Sequence, residues 1–267
     1  MAEQHRLTLL LIDPQNDFVH RDGSLSVPGA EDDAGRLAQL IEGAADRING
    51  VSLSLDSHQR LDISHPLWFF DEHGQSPDPF SVITASDLES GKWSVRDDVK
   101  QHTLTYLKTL EERARYPHVI WPEHCLLGSE GHGVFPVIQE ALHAWSARPH
   151  RVDYVFKGQN PLTEHFSAVE AEVPDPLDPE TQTNQRLLER LNASDEVWVA
   201  GWARSHCVGN TLYDLFRLGG ESLARKITLV TDTMSDVPGF EAQGEEVTRR
   251  SLELGARVAD VETLLRA

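Results

Sequence analysis

Cysteine, long apolar runs and basic side chains are all scarce in this chain of 267 residues. Only two cysteines are present, which leaves room for one disulfide at most. No apolar run approaches the roughly 18 residues that a membrane-spanning helix needs. The 43 acidic residues outnumber the 24 basic ones, and the formal net charge of −19 repels phosphate backbones and anionic lipids. We therefore expect neither a nucleic-acid partner nor a membrane partner.

The beginning of the chain, MAEQHRLTLLLID, lacks the basic, apolar and small-residue order of a signal peptide. This predicts a cytoplasmic protein, in which both cysteines are free thiols rather than a disulfide pair. The apolar fraction of 39% and the charged fraction of 25% are typical of a folded globular protein. The length fits one large domain over residues 1–267.

Short apolar runs alternate with amphipathic stretches, which predicts an α/β fold with a mainly parallel sheet and helices on both faces. The predicted strands are Leu7–Ile12, Val51–Leu55, His118–Trp121, Val152–Phe156, Glu196–Ala200, Ile227–Val230 and Arg257–Ala259. The predicted helices lie near 30–48, 97–115, 134–147, 183–192, 207–219 and 241–254. Residues 59–96 and 158–181 lack clear periodicity, and irregular loops of this length are usually lids or interfaces.

Reactive side chains follow the predicted strands at their carboxyl ends. In an open α/β sheet these ends meet at one edge, where ligands bind. We therefore expect the following residues to converge: Asp13, Asp56 with His58, His124, Lys157 and Cys207.

Cys207 begins a predicted helix, directly after a strand and a short polar turn. Backbone N–H groups at a helix N-terminus favour the thiolate, which is the reactive form of cysteine, and a neighbouring lysine would lower the thiol pKa further. Taken alone, Cys207 could equally be a small packed side chain, and Lys157 alone could be a solvated lysine. Together with Asp13 they indicate a nucleophile assisted by an acid–base group. Cys125 is a rival nucleophile, but no helix N-terminus follows it.

Asp56, His58 and His124 resemble a metal site. Residues two apart on an extended strand point to the same side, so Asp56 and His58 can reach one ion. A histidine from the next strand could complete the set and leave positions open for water or substrate. His65 is a further ligand or a pocket wall. Other histidines are expected at the surface or at helix ends, namely His73, His102, His118, His132, His143, His150 and His165.

Five motifs, in chain order, resemble the isochorismatase-like cysteine hydrolases, and especially their nicotinamidase branch. The motifs are LLLIDPQNDF, DSH, WPEHCLLGSEG, FKGQNPLTEHFSAV and VAGWARSHCVGNTLYDL. The resemblance covers nearly the whole chain and implies a three-layer α/β/α fold. It also implies a metal-containing cysteine amidohydrolase that cleaves a small carboxamide, nicotinamide or a relative, to acid and ammonia through a thioester.

The same resemblance implies roles for individual residues. Cys207, Asp13 and Lys157 would form the catalytic triad. A cis peptide bond would precede Ala203, and the N–H groups of Ala203 and Cys207 would form the oxyanion hole. The metal set would be Asp56, His58 and His124, holding zinc, or else manganese or iron, and the substrate pocket would include Phe18, His65 and Trp202. We also expect a homo-oligomer.

The chain departs from the family in three places, and the first is the spacing from His58 to His65, which differs slightly from the nicotinamidase pattern. Residues 59–115 form a longer insertion of loop and helix than compact nicotinamidases have. Arg204 and Ser205 replace the Thr-Asp that commonly precedes the histidine and cysteine, so we expect these two positions to alter which amide is accepted. The alternative functions are an isochorismatase-type or ureide hydrolase of the same superfamily, and a non-catalytic binding member.

Overall fold

A six-stranded parallel sheet forms the centre of the computed structural model, which describes residues 5–113 and 115–267. The strand order is β5-β2-β1-β6-β7-β8. The strands are β1 (Leu7–Ile12), β2 (Ile48–Asp56), β3 (Val82–Ile83), β4 (His118–Val119), β5 (Val152–Lys157), β6 (Glu196–Gly201), β7 (Ile227–Val230) and β8 (Arg257–Ala259). The helices are α1 (Asn16–Val19), α2 (Ala30–Gly43), α3 (Ala85–Glu89), α4 (Lys100–Arg113), α5 (Pro136–Ser146), α6 (Gln185–Ala193), α7 (Gly209–Ala224), α8 (Glu241–Glu253) and α9 (Val261–Arg266).

The alternation of side chains along β1 divides the core into two layers. Leu9 and Leu11 face a cluster shared with α2, α5 and α9, whereas Leu10 and Ile12 face a cluster shared with α6 and α7. Successive side chains of a strand point to opposite faces, and β1 is buried along its whole length, so it is covered on both sides. The predicted three-layer α/β/α arrangement with a mainly parallel sheet is confirmed.

The predicted strand His118–Trp121 differs from expectation. It is only two residues long, as β4, and it pairs antiparallel with β3 outside the central sheet. In the sheet, β2 pairs instead with β5. His124 therefore comes from a loop beside the sheet and not from the end of a central strand.

The insertion between β2 and β5 has its own small apolar cluster. Trp68, Phe69, Tyr106, Leu107 and Ile120 are buried there, between the loop, α3 and α4. The short helix α3 lies within the predicted loop 59–96 and begins at a capping box in which Thr84 and Asp87 bond reciprocally. No helix within the described ranges is both long and apolar enough to cross a bilayer.

Candidate active site

Asp13 begins the site, directly after β1. It has a positive φ of 48°, and its side chain is fully buried. The Ser54 hydroxyl donates to Asp13 Oδ1 at 2.6 Å, and Lys157 Nζ lies 3.0 Å from Asp13 Oδ2. Each carboxylate oxygen thus has a polar neighbour, and the side chain is fixed at the carboxyl edge of the sheet.

Lys157, the last residue of β5, is the charged centre of the site. Its side chain is 1% exposed, and Nζ lies 3.0 Å from Asp13 Oδ2 and 3.0 Å from Asp56 Oδ1. The same ammonium donates to the carbonyl oxygen of His165 at 3.0 Å and lies 3.7 Å from Cys207 Sγ. The alternative of a solvated lysine is therefore wrong, because the ammonium is buried between two carboxylates.

The turn after β6 brings Cys207 to this edge. Gly201 has a φ of 122°, and a Cβ there would lie 2.1 Å from the carbonyl oxygen of Ile12, so only glycine fits. The peptide bond between Trp202 and Ala203 is cis, as the resemblance implied. A π-helical turn, Arg204–Val208, follows and leads into α7, with Cys207 in that turn. The N–H of Ala203 donates to no acceptor in the described parts of the chain.

The protonation of the triad differs from the expected thiolate. Burial raises the pKa of the Cys207 thiol well above its usual range, and the nearby Lys157 ammonium only partly opposes this. Burial raises the pKa of Asp13 as well, although Lys157 opposes it. The thiol is neutral in this arrangement, and the Lys157 ammonium contacts both its sulfur and the Asp13 carboxylate.

A second group of side chains lies beside the triad. His58, His65 and His124 are buried, and one ring nitrogen of each lies within 4.8 Å of the others. Asp56 Oδ2 lies 3.1 Å from His58 Nε2 and 3.3 Å from His124 Nε2. The structure therefore brings the expected Asp56, His58 and His124 together and adds His65 to them.

The hydrogen bonds around these rings suit a metal ion. His58 Nδ1 bonds to Asp62 Oδ2 at 3.0 Å, and His124 Nδ1 donates to the carbonyl oxygen of Pro122 at 2.8 Å. With Nδ1 occupied in this way, the Nε2 atoms of His58 and His124 both face one carboxylate oxygen, and a cation bound there can be held by all three atoms. Three imidazoles and a carboxylate are donors that zinc prefers. These residues fit a divalent metal.

The electrostatics of this group follow from its burial and its charges. Burial opposes ionisation of Asp56, but His58 and Lys157 outweigh it and hold the pKa of Asp56 well below its usual range. Burial together with the neighbouring rings lowers the pKa of His65 to about 3, so His65 is a neutral imidazole. Neutral imidazole is the form that binds metals.

A cavity of about 400 Å³, counted with its mouth, opens between the triad and the histidines. Its lining is mostly apolar, with a few polar groups, as is usual for small-molecule sites. The lining residues are Phe18, Leu25, Val27, Asp56, Trp121, His124, Glu164, Phe166, Ala203, His206, Cys207 and Val237. Phe18, which the resemblance implied for the substrate pocket, lines the cavity.

Two of the three residues that the resemblance implied for the substrate pocket, His65 and Trp202, are not among the residues that line this cavity. Trp202 does not line the cavity, because its indole is fully buried in the core and donates to Asp33 at 3.2 Å. Arg204 does not line the cavity, since its guanidinium pairs with Asp236 before α8, and its effect on which amide is accepted stays a prediction. The side chains of Trp202 and Arg204 therefore lie outside the cavity, where they cannot touch a ligand bound in it. Two histidines expected at the surface, His118 and His165, are buried.

Sequence reasoning missed the side chains that hold the site together. Gln15 accepts from the backbone N–H of Asp56 and donates to the Asp56 carbonyl oxygen, which ties the ends of β1 and β2. Ser54 orients Asp13, and Asp62 orients His58. Glu164 and His206 line the cavity. The only signals in the sequence were that Gln15 lies within the quoted LLLIDPQNDF motif and that His206 directly precedes Cys207.

The chain is similar to known nicotinamidases in sequence and to solved structures in fold. The chain is 28% identical over 260 residues to the nicotinamidase of Escherichia coli, covering 96% of this chain and 94% of that one. The yeast nicotinamidase Pnc1p bound to the inhibitor nicotinaldehyde superposes with a TM-score of 0.66 at 20% identity, over 95% of this chain and 99% of that chain. The pyrazinamidase of Pyrococcus horikoshii in complex with zinc superposes with a TM-score of 0.57 at 16% identity, over 96% and 99%. A scan against protein-family models found no match.

Proposed function

We propose that this chain, which belongs to the nicotinamidase branch of the isochorismatase-like hydrolases, cleaves a small carboxamide to its acid and ammonia. One observation carries the proposal: a buried lysine links Asp13 to Cys207 Sγ at the wall of a small-molecule cavity. The name of the E. coli relative makes nicotinamide the first substrate to test. The nucleophile, its acid–base partner and the lysine are Cys207, Asp13 and Lys157.

The first half of the reaction forms a thioester. Cys207 Sγ attacks the amide carbon while Asp13 takes the thiol proton. A free thiolate therefore does not have to form before the attack. The carbonyl electrons move to oxygen, where the N–H groups of Ala203 and Cys207 stabilise the negative charge. The carbon–nitrogen bond then breaks, Asp13 returns the proton to nitrogen, and ammonia leaves.

The second half restores the thiol. Water attacks the thioester carbon while Asp13 accepts its proton, the carbon–sulfur bond breaks to release the carboxylic acid, and Asp13 returns the proton to the Cys207 sulfur. Lys157 remains charged throughout, because its two carboxylate neighbours outweigh the effect of burial and raise its pKa well above the usual range. Its role is to hold Asp13 in place and to stabilise negative charge on Cys207 sulfur.

We infer that Asp56, His58 and His124, with His65 beside them, hold a divalent metal, and zinc is our choice because of the imidazole-rich donors. A bound zinc ion would supply a Lewis-acid contact that orients a heteroatom of the substrate. Further proposals are a single domain over residues 1–267 with an insertion at 59–115, a location in the cytoplasm, and assembly as a homo-oligomer.

Replacement of the nucleophile tests the proposal. Cys207→Ala should release no ammonia from nicotinamide, while its circular dichroism and melting temperature stay close to those of the parent protein. Cys125→Ala is the matched control, because Cys125 is the other buried thiol and should not be required for turnover. Ammonia released by Cys207→Ala at the parent rate would refute the assignment.

An aldehyde analogue tests the chemistry separately from turnover. Nicotinaldehyde, which inhibits the yeast neighbour, should add its carbonyl carbon to the Cys207 sulfur, with the thiol proton passing to the aldehyde oxygen. Incubation of the full chain with the aldehyde should slow carbamidomethylation of Cys207 by iodoacetamide. Equal labelling with and without the aldehyde would contradict a nucleophilic Cys207.

A further inference from the structure

Asp33 is a buried carboxylate on an otherwise apolar helix face. It lies in the first turn of α2, and its side chain is 6% exposed. The other buried residues of α2 are all apolar: Ala30, Ala34, Leu37, Ala38, Leu40 and Ile41. Burial of a charge costs free energy unless the charge is paired and hydrogen-bonded. Core packing alone therefore does not explain why a carboxylate lies here.

The two oxygens of Asp33 bind three side chains. Oδ1 accepts from Arg36 Nη2 at 2.5 Å, within the same helix. Oδ2 accepts from Trp202 Nε1 at 3.2 Å and from the Ser235 hydroxyl at 2.6 Å. Arg36 also donates to the carbonyl oxygen of Asp232 at 2.6 Å, so it holds the carboxylate against the chain that follows β7. Asp33 thus joins α2 to two segments that are distant in the sequence.

These two segments meet at the turn that carries Ala203. Trp202 precedes Ala203, and the backbone N–H of Arg204, which follows it, donates to the carbonyl oxygen of Ser235 at 3.0 Å. The side chain of Ser235 in turn donates to Asp33. Both neighbours of Ala203 are therefore tied to the same carboxylate oxygen, Trp202 directly and Arg204 through Ser235.

The N–H of Ala203 depends on such neighbours for its direction. Ala203 lies at the wall of the cavity, and its side chain is a single methyl group that can make no polar anchor. A donor stabilises a transition state only when it already points to where the charge develops. A displacement of about 1 Å can lower the rate about 100-fold. Whatever holds Trp202 and Arg204 therefore also affects the rate.

We propose that Asp33 is a positioning residue for the reaction: its carboxylate holds Trp202 and Ser235, and through them it fixes the N–H of Ala203 toward the developing oxyanion. The inference rests on the proposed amide hydrolysis. Asp33 is not among the residues that line the cavity, so its removal acts on the transition state rather than on substrate binding. Its loss should therefore lower kcat and leave KM nearly unchanged.

Three replacements test the positioning by steady-state kinetics with nicotinamide. Asp33→Ala removes both hydrogen bonds and should lower kcat about 10- to 100-fold, with KM within about twofold of the parent value. Trp202→Phe keeps an aromatic ring but removes one donor, so kcat should fall about 3- to 10-fold. Asp33→Asn keeps an oxygen that can accept from Trp202 and Ser235, and it should hold kcat within about threefold of the parent value.

Asp153→Ala is the matched control. Asp153 is also a buried carboxylate paired with arginines, but these are Arg186 and Arg190 of α6, and none of the three lines the cavity. This variant should lower the melting temperature without lowering kcat. A loss of kcat in Asp33→Ala no larger than in Asp153→Ala would refute the positioning role, and so would an equal loss in Asp33→Asn and Asp33→Ala. If Asp33→Ala does not fold, an unchanged kcat in Trp202→Phe would refute it instead.

Hydrogen–deuterium exchange of the full chain tests the turn without any turnover. Peptides that contain the Arg204 N–H should exchange faster in Asp33→Ala than in the parent protein, because the bond to Ser235 is loosened. Peptides from β5 should exchange equally in both. Unchanged exchange around Arg204 would overturn the inference even if kcat fell. If the parent protein released no ammonia from any amide, the proposed function would fail, whereas the exchange would still decide whether Asp33 holds the turn.

Discussion

Replacement of Gly201 tests how closely β1 and β6 approach at the site. In Gly201→Ala the new Cβ would lie 2.1 Å from the carbonyl oxygen of Ile12 and 2.6 Å from its nitrogen. Both atoms are backbone of the central strand, so no side chain can move to make room. The φ of 122° adds strain for any L residue with a side chain.

The magnitude follows from these two effects. Backbone strain costs roughly 1–3 kcal/mol, and overpacking a close contact costs roughly another 1–3 kcal/mol. The sum of roughly 2–6 kcal/mol corresponds to a drop in melting temperature on the order of 10 °C for a chain of this size. Activity should fall further, because Ala203 and Cys207 follow Gly201 in the same turn.

Two other glycines are controls for the separate effects. Gly74 has a φ of +75° but no atom within 4 Å of its would-be Cβ, so Gly74→Ala should cost only about 1 kcal/mol. Gly35 lies within α2 with the same open space, and Gly35→Ala should stabilise by about 0.5–1 kcal/mol. Thermal melts of all three variants give the comparison. A loss in Gly201→Ala no larger than in Gly74→Ala would refute the argument from close approach.

Two further predictions concern charge. Burial, opposed by Arg115, raises the pKa of Glu172 from 4.5 to about 8. The folded chain therefore holds a proton on Glu172 that the unfolded chain releases, and the free energy of unfolding should decline from pH 4.5 to pH 8. Glu172→Gln should flatten that decline when it is measured by urea unfolding. An unchanged slope in the variant would contradict the assignment to Glu172. Asp62→Asn should weaken zinc binding about 10- to 100-fold in chelator competition, because Asp62 orients His58. Asp71→Asn, in a turn away from the histidines, is the control. Equal zinc affinities in the two variants would exclude the orienting role of Asp62.

The sheet was predictable because its signals are local. Apolar runs such as Leu7–Ile12 and Ile227–Val230 have the observed strand bounds, since each is buried on both faces and ends at a polar residue. The predicted strand near His118 forms only over two residues, as β4, and lies outside the central sheet, because Ile120 packs within the insertion. A short apolar run does not specify which sheet it joins.

The reactive residues of the site were predictable, but their supports were not. A carboxylate, an amine and a thiol are reactive groups, so Asp13, Lys157 and Cys207 can be recognised from residue type alone. Ser54 and Asp62 are ordinary polar residues in the sequence, and their importance arises only where the fold aims them at Asp13 and His58. The expected lowered pKa of Cys207 failed for the same reason, because burial is a property of the whole fold.

Strand order explains why residues far apart in the sequence become neighbours. The four adjacent strands β5, β2, β1 and β6 each end at the site, and register pairs Lys157 with Asp56 and Gly201 with Ile12. Asp13 follows Ile12, so it lies between the two pairs. A parallel sheet ends all its strands at one edge, and the central strands bring the most side chains within reach of each other. For this reason β7 and β8, at the far side of β6, contribute no residue to the triad or to the histidine group.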